Sequence, residues 1–99
     1  MDARTEIRRA VDTGKVLFGY REVEKNVLKG KGKILILAKN LASKDKEKIE
    51  HFTKLSEIPK YEFNGDSMEL GTVCGKPFSI SAMLVIETGK SKVSEISTK

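Results

Sequence analysis

Cysteine is all but missing from this 99-residue chain: Cys74 stands alone, which excludes an internal disulfide framework and points to a reducing compartment. Histidine is as scarce, and His51 and Cys74 lie too far apart in sequence for the usual metal-ligand spacings. No apolar run approaches the ~20 residues that a membrane span needs. Residues 1–6 lack the apolar core of a signal peptide, so a cytosolic protein is expected. Glutamine is absent while charged residues make up 33%, a composition that leans toward a thermophilic source. No repeat or linker divides the chain, so residues 1–99 are expected to form one domain, with a polar tail from 87 to 99 that frays unless Val93 and Ile96 anchor it.

Catalytic constellations are missing as well. The carboxylates sit beside lysines, as in surface ion pairs. Gly30-Lys31-Gly32 precedes an apolar run rather than following one, which is the wrong context for a dinucleotide fingerprint. The segment from Gly71 to Pro77 resembles a P-loop but is one residue short and has Pro77 where a metal-binding hydroxyl belongs. Cys74, beside Val73, reads as a small buried hydrophobe, and His51 as a surface residue. The expectation is a non-enzymatic protein without cofactor or metal.

What the chain does have is positive charge in one place. The formal charge is +5 and the pI near 9.4, which favours nucleic acid or another polyanion. Between positions 15 and 39, Lys15, Arg21, Lys25, Lys29, Lys31, Lys33 and Lys39 face only Glu22 and Glu24. Within that stretch Val16, Leu17 and Phe18 read as a short strand, Gly19 breaks it, and a helix follows from Tyr20 to Lys29. On a helical wheel Tyr20, Val23 and Val27 share the buried side, with Leu28 at its edge, while Arg21, Lys25 and Lys29 form a separate basic stripe. A strand ending in glycine and then a helix with a basic first turn is a physical means of holding a phosphate.

The remaining pattern alternates strands and helices, which predicts an α/β protein with a four-stranded sheet covered on both sides. Ala3, Ile7, Ala10 and Val11 mark a first amphipathic helix ending near Gly14. Residues 33–38 form a continuous apolar run, as in a central strand. Ser43 is the expected N-cap of a helix reaching Ser56, with Ile49, Phe52 and Leu55 inward. A strand at 60–63 and a short helix follow, the helix opened by Asp66 and Glu69 in capping-box spacing. The last strand is expected at 80–86.

Ligands of open α/β sheets collect beyond the strand ends. Here those ends are Gly19, Tyr20, Arg21 and Glu22 after the first strand, and Lys39 and Asn40 after the second. If the last strand is antiparallel, which makes the sheet mixed, then Gly75, Lys76, Pro77 and Phe78 reach the same edge. Such an edge offers cations to phosphates, polar groups to base edges and an aromatic tip to a flipped-out base. Each residue also has a plainer reading. A basic stripe can be a solvated face, Asn40 a turn residue, Gly19 and Gly75 hinges, and Tyr20 a core residue with its hydroxyl at the rim. Phe78 alternates with Ile80, Ala82, Leu84 and Ile86, and by that pattern alone it belongs to the core.

The chain resembles the archaeal and eukaryotic large-subunit ribosomal protein of the L-thirty-e type, within the wider kink-turn RNA-binding superfamily. The resemblance rests on Asp12, Thr13, Gly14 and Lys15, on the run from Ile34 to Asn40, on Leu55 and Ser56, and on Tyr61, Glu62 and Phe63. Its strongest segment is Glu69, Leu70, Gly71 and Thr72 leading into Gly75, Lys76 and Pro77. It implies a three-layer α/β/α sandwich and a structural role in the large ribosomal subunit. The implied ligand is a sharply bent helix–internal loop–helix RNA with sheared G·A pairs. By position, Gly19, Tyr20, Arg21, Glu22 and Lys25 meet the bent RNA, with Lys29 continuing the stripe. Asn40 meets nearby bases or backbone, and Gly75, Lys76, Pro77 and Phe78 pack on an extruded nucleotide, which here overrides the core reading of Phe78. Related archaeal multi-RNA binders carry Asn where this chain has Arg21, which favours the ribosomal branch. The expected partners are ribosomal RNA and neighbouring ribosomal proteins, on a cytoplasmic ribosome, for a chain that is monomeric when free and uses no membrane. The alternatives are a paralogous protein of a small guide-RNA or RNase P particle, a protein adapter using the apolar loop, and, least favoured, an enzyme acting on a phosphorylated metabolite.

Overall fold

The computed structural model describes residues 2–96. Helix α1 (Ala3–Thr13) leads into strand β1 (Lys15–Phe18), helix α2 (Tyr20–Leu28) and strand β2 (Ile34–Leu37). Helix α3 (Ser43–Ser56), strand β3 (Lys60–Glu62), helix α4 (Ser67–Val73) and strand β4 (Ala82–Glu87) follow, with a final 3₁₀ turn at Val93–Ile96. The sheet order is β1-β4-β2-β3. Strand β4 runs antiparallel to both β1 and β2, whereas β2 and β3 are parallel, so the sheet is mixed as expected.

Helices cover both faces, and the alternation of strand side chains separates two cores. Ile34, Ile36, Met83 and Val85 face α1 and α4 through Ile7, Ala10, Leu70 and Cys74. Leu35, Leu37, Ala82 and Leu84 face α2 and α3 through Val23, Val27 and Ile49. That is why β2 is apolar at every position: each side chain has a buried layer to enter. Val23 and Val27 are fully buried, and side chains of that size contribute about 1.5–3 kcal/mol each to docking α2 on the sheet. Asp2 caps α1 through the Arg4 amide, and Asp66 caps α4 through the Glu69 amide at 2.9 Å, as the capping-box spacing predicts.

Three details differ from the pattern-based expectations. Ser43 is the first helical residue and not the cap. The chain enters α3 from an Ala38–Leu41 turn, and Ala42 holds the cap position without a side-chain bond. Leu55 is 70% exposed, not inward. Steps of three residues lag the helix by about 60° each, so Leu55 has rotated off the face that Ile49 and Thr53 bury. The last strand starts at Ala82, which leaves Phe78 and Ile80 in the preceding loop. The tail takes the anchored alternative as far as it is described, with a turn at Val93–Ile96. Val93 is fully buried, Glu6 accepts the Lys92 amide at 2.7 Å, and Thr13 Oγ accepts the Lys90 amide at 2.9 Å. Residues 97–99 of the expected frayed tail lie outside the described residues.

Candidate nucleic-acid interface

The exits of β1 and β2 and the approach to β4 share one edge of the sheet. The Gly19 amide donates to the Ala82 carbonyl at 3.2 Å, and the Ala38 amide to the Ser81 carbonyl at 2.9 Å. Gly19 has φ +95°, a conformation that glycine alone adopts without strain, and a Cβ there would meet nothing within 4 Å. The backbone angle is what requires glycine, and the space above it is open. Because Gly19 supplies no capping side chain, the first-turn amides of Tyr20, Arg21 and Glu22 keep their donor capacity at the positive end of the helix.

Helix α2 is clamped in that position. Tyr20 is half-buried and donates its hydroxyl to the Asp45 carbonyl of α3 at 3.2 Å. Burial, and then the Glu24 carboxylate beside it, push this hydroxyl up to about 12, so it remains a donor across the neutral range. Tyr20 is thus the core residue with a rim hydroxyl that its wheel position allowed.

Arg21, Glu22 and Lys25 are exposed, and none of the ion pairs among the described residues uses them. Glu24, by contrast, is paired with Lys48 at 3.3 Å. Lys29 is also exposed, but it caps the far end of α2, about 12 Å along the axis from Arg21 at 1.5 Å per residue. It extends the basic face and lies away from the edge.

The 75–78 loop is stitched to α4. The Lys76 amide donates to the Gly71 carbonyl and the Ile80 amide to the Ser67 carbonyl, both at 2.9 Å. Gly71 makes this contact feasible, since a Cβ there would stand 2.1 Å from the Phe78 carbonyl oxygen. Asn40 ties the second loop to the same helix. Its side-chain oxygen accepts the Ser67 amide at 2.9 Å and its NH₂ donates to the Ser67 hydroxyl at 3.2 Å, which leaves one N–H over.

Phe18, at the end of β1, joins the two halves of the edge. Its ring meets that of Phe78 edge-on, with centroids 6.4 Å apart, and the Lys76 ammonium lies 5.5 Å from its centroid. Phe78 is 52% exposed. With Met68, Thr72, Lys76, Pro77 and Ser79 it lines a shallow groove of about 390 Å³. Phe78 is therefore not in the core that alternation alone suggests, a reading the resemblance already overrides, because β4 starts only at Ala82. Phe18 and Met68 escaped the sequence reading. An aromatic directly before the strand-breaking glycine was the available signal for Phe18, and Met68 offered none.

Cys74 and His51 stand apart in the fold. Burial pushes the Cys74 thiol up to about 11 against the opposing pull of Lys76 and Arg8, so it stays protonated at neutral pH. His51 is exposed on α3, in the layer on the other side of the sheet. No group of His, Cys, Asp or Glu among the described residues is arranged to hold a metal ion, and no helix among them is long and apolar enough to cross a membrane. The P-loop-like glycines also stand in the wrong order, since Gly71 lies inside α4 and the loop leaves that helix instead of opening one.

Comparison with known proteins decides the kinship. The model of the ribosomal protein L7Ae/L30e/S12e/Gadd45 family matches residues 1–95. The chain belongs to that family. It is 48% identical over 99 residues to the large ribosomal subunit protein eL30 of Methanococcus vannielii, covering all of this chain and 94% of that protein. Similarity to the eL30 of Methanothermobacter thermautotrophicus is 46% over 96 residues, with 97% and 98% of the two chains covered. Against the eL30 of Methanocaldococcus jannaschii it is 44% over 99 residues, with 100% and 90% covered. The resemblance carried by segments between Asp12 and Pro77 therefore extends along the whole chain, to archaeal eL30 proteins.

Proposed function

We propose that this protein is a structural, non-enzymatic component of the large ribosomal subunit, at work on the cytoplasmic ribosome, that binds ribosomal RNA and stabilises a kinked internal loop. One observation carries the reading. The Phe18–Phe78 contact, with Lys76 on the Phe18 ring, fixes an exposed apolar tip beside the open N-terminus of α2. In this reading the amides after Gly19, together with Arg21 and Lys25, hold phosphates of the bent strand, and Glu22 accepts from base edges. Tyr20 holds α2 in place, and Lys29 meets an outer phosphate. Asn40 offers its remaining N–H. Gly75, Lys76, Pro77 and Phe78 receive the extruded nucleotide. Residues 1–99 act as one domain, monomeric when free, with neighbouring ribosomal proteins as further partners.

The mechanism is a shift of population. A protein that prefers the kinked RNA draws the equilibrium toward it only by the difference between its affinities for the two shapes. Loops stitched to α4 and the sheet lose little ordering entropy on docking. Ultraviolet crosslinking of the protein in cell extract, followed by sequencing of the attached RNA, tests the reading. Large-subunit ribosomal RNA with an internal loop is the expected product. Recovery of guide RNA or RNase P RNA alone would transfer the same geometry to a paralogous particle, and complexes that survive nuclease and high salt would replace RNA with a protein partner.

A further inference from the structure

We propose that Arg8, on the second turn of α1, is a further RNA-binding residue that gives the 75–78 loop a phosphate contact from its helix side. The proposal rests on the RNA reading above and extends it to a helix outside the edge described so far. A Cβ on Gly75 would lie 2.5 Å from Arg8 Nη1, 2.7 Å from Cζ and 3.0 Å from Nη2, so the guanidinium plane lies against this residue. Gly75 thus serves two ends: it adopts φ +72°, and it leaves room for the cation.

The nitrogens of Arg8 are unequally used. Nε donates to both carboxylate oxygens of Asp12, at 3.1 and 3.0 Å, and so fixes the group. Nη1 and Nη2 meet no acceptor among the described residues, although the side chain is half exposed. The other two arginines of α1 are spent differently. Arg4 Nη2 reaches the Asn64 carbonyl and Glu69, and Arg9 Nη1 reaches the buried Glu6. A guanidinium held by one nitrogen, with its terminal fork open beside a nucleotide-receiving loop, suits the two free oxygens of a phosphodiester.

An exposed i,i+4 ion pair contributes little to stability, so Arg8→Gln is expected to keep the circular dichroism and melting temperature of the wild type. Affinity for a kink-turn RNA is measured against KCl concentration for the wild type, Arg8→Gln, Arg8→Lys and Arg21→Ala. Arg8→Gln is expected to reduce the log–log slope by about 0.7–0.9, the share of one phosphate contact, and to weaken binding several-fold at low salt. Arg8→Lys should keep the slope and lose part of the affinity. Asp12→Asn, which keeps Arg8 and removes its competing carboxylate, should leave the slope at least as steep. An unchanged slope for Arg8→Gln, whether or not affinity falls, overturns the assignment if Arg21→Ala flattens its own slope. If the wild-type chain binds no RNA, the underlying reading fails first and takes Arg8 with it.

Discussion

Phe78→Ala is expected to lower affinity for a kinked RNA by about 5- to 150-fold, equivalent to the ~1–3 kcal/mol of one base–aromatic stack. The slope of affinity against salt should stay as in the wild type, because no charge is removed. The size of the effect follows from how the ring is held. It stands half exposed at the lip of the groove, edge-on to Phe18, on a loop bonded to α4 at Gly71 and Ser67. Little ordering is then required when a base arrives. The fold should persist, since Phe78 lies outside β4 and belongs to neither buried cluster. Circular dichroism and a melting curve check this. Collapse of the fold with loss of binding would return Phe78 to the core.

The second large effect is electrostatic. Replacing Arg21 and Lys25 together by alanine is expected to reduce the salt slope by about 1.4–1.8, two phosphate contacts' worth. Affinity at low salt should fall on the order of 100-fold, taking about 1.5 kcal/mol for each charge-assisted contact. Both side chains are exposed on a helix held by Val23, Val27 and the Tyr20 hydroxyl, and neither is in an ion pair among the described residues. Stability should therefore stay within a few tenths of a kcal/mol, as for surface substitutions generally. Unchanged affinity and slope would show the stripe to be a solvated face. The two variants fail in different ways, one through contact area and the other through counterions, and titrations at several salt concentrations separate them.

Much of this molecule is legible in its sequence because single residues carry strong local physics. Gly19 between an apolar triplet and an amphipathic run marks the strand-to-helix break, and Asp66 with Glu69 marks the start of α4. The run of Ile and Leu at 34–37 announces a strand buried on both faces. What the residues hid depends on geometry beyond the local period. A spacing of three from Ile49 and Phe52 points Leu55 inward, although a helix advances 3.6 residues per turn and Thr53 takes the buried position. Phe78 continued an alternation that ends before it, because residues 76–80 are bonded to α4 and not to a neighbouring strand. The tail read as polar, yet Glu6, an ionisable side chain on α1, holds the Lys92 amide and helps bring Val93 into the core.

The edge itself was legible only in part. Phe18 joins Gly19 and the 75–78 loop there, Tyr20, Arg21 and Lys25 border a separate groove between α2 and α3, Asn40 is engaged with Ser67, and Lys29 stands at the distal end of α2. No local pattern shows that Phe18 would link the loop to α2, since that contact spans sixty residues of chain and depends on β1 and β4 being neighbours.

Energy transfer across a kink-turn RNA carrying a dye on each stem is the most direct test of whether this edge selects the bent shape. Titrated at a magnesium concentration where the free RNA is mostly extended, the wild-type chain should raise the transfer efficiency as it binds, and Phe78→Ala should need a higher concentration to do so. Saturable binding with no change in transfer, or equal affinity for a fully paired duplex of the same length, would contradict the account.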